Sequence, residues 1–122
     1  MRIFKMKGLA KFARREQITD LALREAIERA ERGTIDADLG GGLIKQRVAR
    51  KGQGRSGGYR MVIAYRTKDR AIYLLGFAKN ERENINPAEL AALRSLVKVW
   101  LQAPQEDIAI ALHEGVLQEI EG

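Results

Sequence analysis

From Leu43 to Ala78 the chain runs through three stretches of strand-like sequence, separated by a glycine-rich loop and a polar turn. Alternation of this kind has period 2, and it commits the middle of the chain to consecutive β-strands. In Leu43 to Ala49, Leu43, Lys45 and Arg47 fall on one face and Ile44, Gln46 and Val48 on the other. In Arg60 to Arg66, Arg60, Val62, Ala64 and Arg66 oppose Met61, Ile63 and Tyr65. Ala71 to Ala78 is apolar on both faces, as a central strand is. Thr67-Lys68-Asp69-Arg70 turns the last two into a hairpin. The expectation is a sheet of at least three consecutive antiparallel strands, with Arg60 at the start of the middle one.

The loop from Arg50 to Gly58 carries glycines at 52, 54, 57 and 58. Around it, Gly40 to Arg60 holds Lys45, Arg47, Arg50, Lys51, Arg55 and Arg60 with no acidic residue. Such a stretch has a strong positive potential, and its most economical partner is a polyanion, RNA before others. The literal GxGxxG at Gly52, Gly54 and Gly57 is not a dinucleotide fingerprint, because a strand and not a helix follows it. Nor is it a kinase loop, since the chain is short and has no HRD or DFG. What remains is a basic hairpin loop whose backbone N–H groups can also meet phosphate.

Helices flank this region. Ile3, Phe4 and Met6 suggest a short strand, and Leu9, Phe12 and Ala13 then fall at helical spacing. The basic residues of this segment read either as solvated charge or as a second basic surface. Thr19 is placed as the N-cap of a helix from Asp20 to about Glu31, with Leu23, Ala26, Ile27 and Ala30 on its inner face and Gly33 as its stop. Thr34 to Leu39 reads as a short strand and Gly40-Gly41-Gly42 as a hinge between strands. Asn86-Pro87-Ala88-Glu89 starts a further helix, whose apolar stripe of Leu90, Leu93, Val97, Trp100 and Leu101 places Trp100 in the core. Pro104 ends it. Gln105 to Glu114 reads as another helix and Val116 to Ile120 as a short strand, in an acidic tail with no Lys or Arg after Lys98.

At 122 residues the chain is expected to be one domain, and its net charge of +6 favours nucleic acid as a partner. The absence of cysteine removes disulfides and thiolate metal sites, and a single histidine, His113 in the acidic tail, excludes a His-rich metal site. No metal or cofactor is expected. No apolar run approaches the ~18 residues of a membrane span, and a cytoplasmic location is expected.

With this order of elements, GGLIKQRVARKGQGRSGGYRMVIAY, YLLGFAKNER and NINPAEL, spanning residues 40 to 101, resemble the RelE-type toxins of bacterial toxin–antitoxin modules, in particular the HigB-like branch. The resemblance implies an α+β RelE-like fold over residues 1–103. In it, an antiparallel sheet of three to five strands is packed by N-terminal helices and a C-terminal helix, with residues 104–122 as an acidic helix–strand extension. It also implies a ribosome-dependent mRNA endonuclease that inhibits translation, with mRNA, the ribosome and a cognate antitoxin as partners.

Cleavage by attack of the 2′-OH on the adjacent phosphate requires alignment, proton transfer and charge stabilisation, and no cofactor. With His113 badly placed, arginine and lysine must carry it. Arg60 is assigned to the scissile phosphate, Lys79 to proton transfer, and Glu81 is a weaker candidate base. Lys45, Arg47, Arg50, Lys51 and Arg55 are assigned to RNA backbone, and Tyr59 either stacks on a base or packs. RelE-type toxins often carry a catalytic tyrosine near the C-terminus; no tyrosine follows Tyr73 here, so the acid–base roles stay open. The other reading is a non-catalytic RNA- or ribosome-binding module that blocks translation by occupancy.

Overall fold

The structure is a computed structural model that describes residues 1–50, 54–82 and 84–121, the side chains of Arg55 and Ser56 excepted. The chain opens with strand β1 (Arg2–Met6) and helices α1 (Lys7–Arg15) and α2 (Asp20–Glu31). Four strands follow: β2 (Ala37–Gly40), β3 (Leu43–Arg50), β4 (Gly54–Arg66) and β5 (Arg70–Ala78). Helices α3 (Pro87–Gln102) and α4 (Gln105–His113) and strand β6 (Leu117–Ile120) complete it.

Local chemistry sets the helix ends. The Thr19 hydroxyl accepts from the Ala22 N–H at 3.1 Å, which satisfies an otherwise open donor at the start of α2. At α3, Asn86 Oδ1 accepts from the Glu89 N–H at 2.8 Å, and Glu89 Oε1 accepts from the Asn86 N–H at 3.2 Å. The two interactions form the reciprocal capping box that the sequence signals. Gly33, at φ +90°, lies just beyond the end of α2, in a conformation glycine adopts without strain.

The six strands form one sheet in the order β2-β3-β4-β5-β1-β6. It is larger than the three to five strands expected, and it is mixed: β1 runs parallel to β5, and the other neighbours are antiparallel. A parallel pair needs a crossover rather than a tight turn, so no local signal ties β1 to β5. Strand β2 starts at Ala37 rather than Thr34. The glycine-rich segment is also less of a loop than expected, because Gly54, Gly57 and Gly58 belong to β4. At Gly58 a Cβ would lie 2.2 Å from the Val48 carbonyl oxygen, so glycine is what lets the two strands approach there. Gly52 falls outside the described residues.

Each face of the sheet has its own core. On one, α1 and α2 cover Ile44, Val48, Tyr59, Met61, Ile63, Tyr65 and Tyr73. On the other, α3 and α4 cover Leu43, Val62, Ala64, Ile72, Leu74 and Phe77, and Trp100 is buried there as expected. The acidic tail contributes Ile108, Leu117 and Ile120 to these cores, and β6 forms the opposite edge of the sheet from β2.

One irregularity positions the site. Val62 lies opposite Leu75 and Ile63 opposite Tyr73, which leaves Leu74 as an extra residue in β5. A bulge of this kind shifts the alternation by one. Tyr73 therefore points to the α1 side while Phe77, four residues on, points to the α3 side, which strict alternation forbids.

Candidate nucleic-acid interface

Arg60 sits on β4 directly between Arg47 on β3 and Phe77 on β5. Lys45 lies one step along the same face of β3, opposite Val62. Val62 and Ala64 of β4 pack under α3 and α4, so the row Arg47–Arg60–Phe77 continues the α3 face towards the glycine-rich arm. The alternation of β3 and β4 that places these residues together follows the sequence pattern.

Arg60 is only 9% exposed, while Arg47 is exposed. Burial pulls the Arg60 guanidinium below its ordinary pKa, the Arg47 charge adds to the shift, and Asp36 opposes it. Arginine remains a cation under such a shift. A desolvated cation beside a second cation gains more from an incoming anion than a solvated one does.

Arg82 completes this side. Its Nη1 donates to both oxygens of Glu89, at 2.8 and 2.9 Å, and its guanidinium carbon lies 4.6 Å from the centre of the Phe77 ring. The Arg82 hydrogen bond, followed by that of the Asn86 N–H, holds the Glu89 carboxyl below its ordinary range. The residue that caps α3 thus also holds a guanidinium over the neighbour of Arg60. In the sequence Lys79, Glu81 and Arg82 read either as ordinary surface ion pairs or as the completion of a site facing Arg60. Its link to Phe77 depends on the β5 bulge, which sets Phe77 on this face.

Lys79 and Glu81 lie just beyond the end of β5, and both are exposed. The Lys79 N–H donates to the Gly58 carbonyl at 3.1 Å, which places its backbone two residues along the ladder from the Arg60–Phe77 pair. The Glu81 N–H donates to the Ala78 carbonyl at 3.1 Å, in the turn that follows.

Tyr59 and Arg50 fall on the opposite face. Tyr59 is 3% exposed and packs edge-on against Phe12, with ring centres 5.7 Å apart. Its hydroxyl donates to Glu16 Oε1 at 3.1 Å. Burial first, and then Glu16, push its pKa above the ordinary phenol value. The Arg50 guanidinium lies 5.7 Å over the same ring. The structure therefore brings Lys45, Arg47 and Arg60 together and sets Arg50 and Tyr59 apart from them. Lys51 and the Arg55 side chain lie outside the described residues, although the Arg55 backbone is part of β4.

His113 is exposed at the end of α4, a helix that packs against the edge strand β6. Chemically, the α3 face offers guanidinium groups matched to phosphate oxygens, a lysine at the end of β5, and an apolar ring between them. Among the described residues no helix is long and apolar enough to cross a membrane. The family model described as the RelE toxin of the RelE/RelB toxin–antitoxin system matches residues 1–120.

Proposed function

The chain belongs to the RelE toxin family, and we propose that it inhibits translation by cutting mRNA on the ribosome. Membership makes it the toxin of a toxin–antitoxin pair and implies a RelB-like antitoxin as partner. The finer reading, cleavage by the arginine row, is our own. The observation that supports it best is Arg60, buried in the middle strand with Arg47 directly opposite and placed to gain from an anion.

In the proposed reaction the 2′-oxygen of one nucleotide attacks the adjacent phosphorus, the P–O5′ bond breaks, and a 2′,3′-cyclic phosphate and a 5′-hydroxyl result. The 2′-OH loses its proton and the 5′-oxygen gains one. Arg60 binds the non-bridging oxygens and stabilises the charge that grows on them, with Arg47 and Arg82 on either side. Lys79 transfers a proton at the end of β5, and Glu81 is the alternative base. Lys45 follows the RNA backbone on this face. Arg50, Lys51 and Arg55 meet mRNA or ribosomal RNA, and Tyr59 contributes by supporting Arg50 rather than by stacking on a base. No metal or other cofactor takes part in this scheme.

The test is induced expression of wild type, Arg60→Ala and Lys79→Ala in a bacterium, following growth and mapping new 5′ ends on one abundant mRNA. Arrest with cuts inside translated codons, lost in both variants, supports the scheme. Arrest without cuts favours translation block by occupancy instead.

A further inference from the structure

Strand β3 outruns its neighbour. Pairing with β2 begins at Ala37, opposite Lys45, so beyond that rung no strand among the described residues lies along the outer edge of β3. The next residue whose backbone faces that edge is Arg47, and two side chains fill the vacant place. The Arg47 N–H donates to Asp36 Oδ2 at 2.7 Å, and the Arg47 carbonyl accepts from Arg29 Nη2 at 2.5 Å. Arg29 Nη1 closes the figure on the same Asp36 oxygen at 3.1 Å. The two side chains are 13% and 21% exposed, so water competes little for these bonds.

The pair is itself anchored. The Asp36 N–H donates to Gln46 Oε1 at 2.7 Å. The Gln46 side chain is fully buried and donates to the carbonyls of Ala26 at 2.9 Å and Thr34 at 3.2 Å. A continuous set of bonds thus runs from α2 through Gln46 and Asp36 to the backbone of Arg47.

We infer that Asp36 and Arg29 are positioning residues that hold Arg47 square to Arg60, so that the two guanidinium groups meet one phosphate in a fixed geometry. The inference rests on the cleavage reading above. An exposed end strand with open backbone groups frays; bonding both groups of one residue stops that at the residue that matters. Asp36 also acts electrostatically on both arginines. Burial alone would raise its carboxyl, but the Arg47 N–H and Arg29 hold it below its ordinary range, so the negative charge persists beside two cations. That charge favours the empty site and weakens polyanion binding. Loss of Asp36 should therefore slow cutting without weakening binding, which loss of a merely structural residue would not do.

The experiment compares wild type, Asp36→Ala, Asp36→Asn and Arg29→Lys, with folding checked by circular dichroism. Single-turnover cutting is measured on mRNA-programmed ribosomes at saturation. Affinity is measured with an mRNA carrying a 2′-deoxy nucleotide at the cut site, and hydrogen exchange is followed at the Arg47 amide. Asp36→Ala is expected to cut about tenfold more slowly or worse, since small misplacements at a reacting centre carry large penalties. Its affinity should be equal or tighter, and its Arg47 amide should exchange faster. Asp36→Asn keeps an oxygen for the Arg47 N–H and should cut within about threefold of wild type. Arg29→Lys loses the fork and should fall between them, which serves if Asp36→Ala does not fold. Wild-type cutting by folded Asp36→Ala, or parallel loss of cutting and affinity, overturns the inference, as does unchanged Arg47 exchange. If wild type itself does not cut, the cleavage reading fails, and the Arg47 exchange alone decides whether the clamp exists.

Discussion

Tyr59 and Arg60 are adjacent in β4 and face opposite sides of one sheet, and they solve different problems. On the α1 and α2 side, polar tips end on partners within the fold. Tyr59 donates to Glu16, Tyr73 donates to the Leu23 carbonyl at 2.5 Å, and Tyr65 donates to Glu31. On the α3 side, Arg47, Arg60 and Arg82 gather positive charge beside an aromatic ring. The tyrosine hydroxyls of the first face are closed within the fold, whereas the second is the face proposed to meet an external anion. Period-2 alternation lets one strand hold a rigid core on one side and a row of cations on the other, so the row inherits the core's rigidity.

The largest test of that contrast exchanges the two residues' fates. Arg60→Ala should reduce cutting by about 10²–10³-fold, the usual loss when one preorganised donor to a transition-state oxyanion is removed, with the fold retained. Arg60→Lys should recover little, because an ammonium does not reproduce the fork. Tyr59→Ala should do the reverse and destabilise the fold by about 3–5 kcal/mol, as truncation of a buried aromatic does. Tyr59→Phe, which loses only the bond to Glu16, should cost about 1 kcal/mol and leave cutting within about twofold. Denaturant melts and single-turnover cutting separate these outcomes, and a folded Tyr59→Phe that has lost cutting would break the contrast between the faces.

A smaller effect is expected at Arg82. Arg82→Ala should slow cutting by about tenfold, the lower range for a group flanking rather than centred on the charge, and should lessen the salt dependence of RNA binding by about one phosphate contact. Glu89→Gln keeps an oxygen for Arg82 and for the Asn86 N–H and should leave cutting close to wild type. If Glu89→Gln lost as much activity as Arg82→Ala, the carboxylate and not the guanidinium would be the functional group.

Much of this was legible in the chain. Leu43, Lys45 and Arg47 were placed on one face by spacing alone, and so were Arg60, Val62 and Ala64, which is why the row could be anticipated. Asn86 and Glu89 announced the start of α3 through short-range chemistry. What the sequence does not signal acts at longer range. The union of β1 with β5 spans two helices and three strands and leaves no turn signal. The extra residue at Leu74 sits inside an apolar run whose two faces look alike, so nothing in the sequence marks the change of phase that turns Phe77 to the Arg60 face, under Arg82. Asp36 carries no signal in the sequence because its partners, Arg29 and the Arg47 backbone, lie on separate elements. The alternation that located Arg60 also assigned Tyr59 to the far face, a consequence that the count of basic residues around the loop concealed.

The smallest predicted effect lies on the closed face and depends on pH. Glu31 accepts from the Tyr65 hydroxyl, from the Thr67 hydroxyl at 2.9 Å and from the Lys68 N–H at 3.1 Å. The Tyr65 hydrogen bond, which outweighs the opposing effect of burial, holds its carboxyl below the ordinary value, with Thr67 and Lys68 adding to it. A carboxyl whose folded pKa is depressed contributes stability that is fully present above its unfolded pKa and is lost as pH falls through the folded one. The wild type should therefore melt a few degrees above Glu31→Gln at neutral pH, and the gap should close as the pH drops below the ordinary carboxylate range. Because Glu31 is exposed, solvent screens the interaction and the gap should be modest. Cutting at neutral pH should be unchanged in Glu31→Gln, since the residue supports only the α2 side of the sheet. A gap in melting temperature that stayed constant down to acid pH would mean that Glu31 acts through packing and not through its charge.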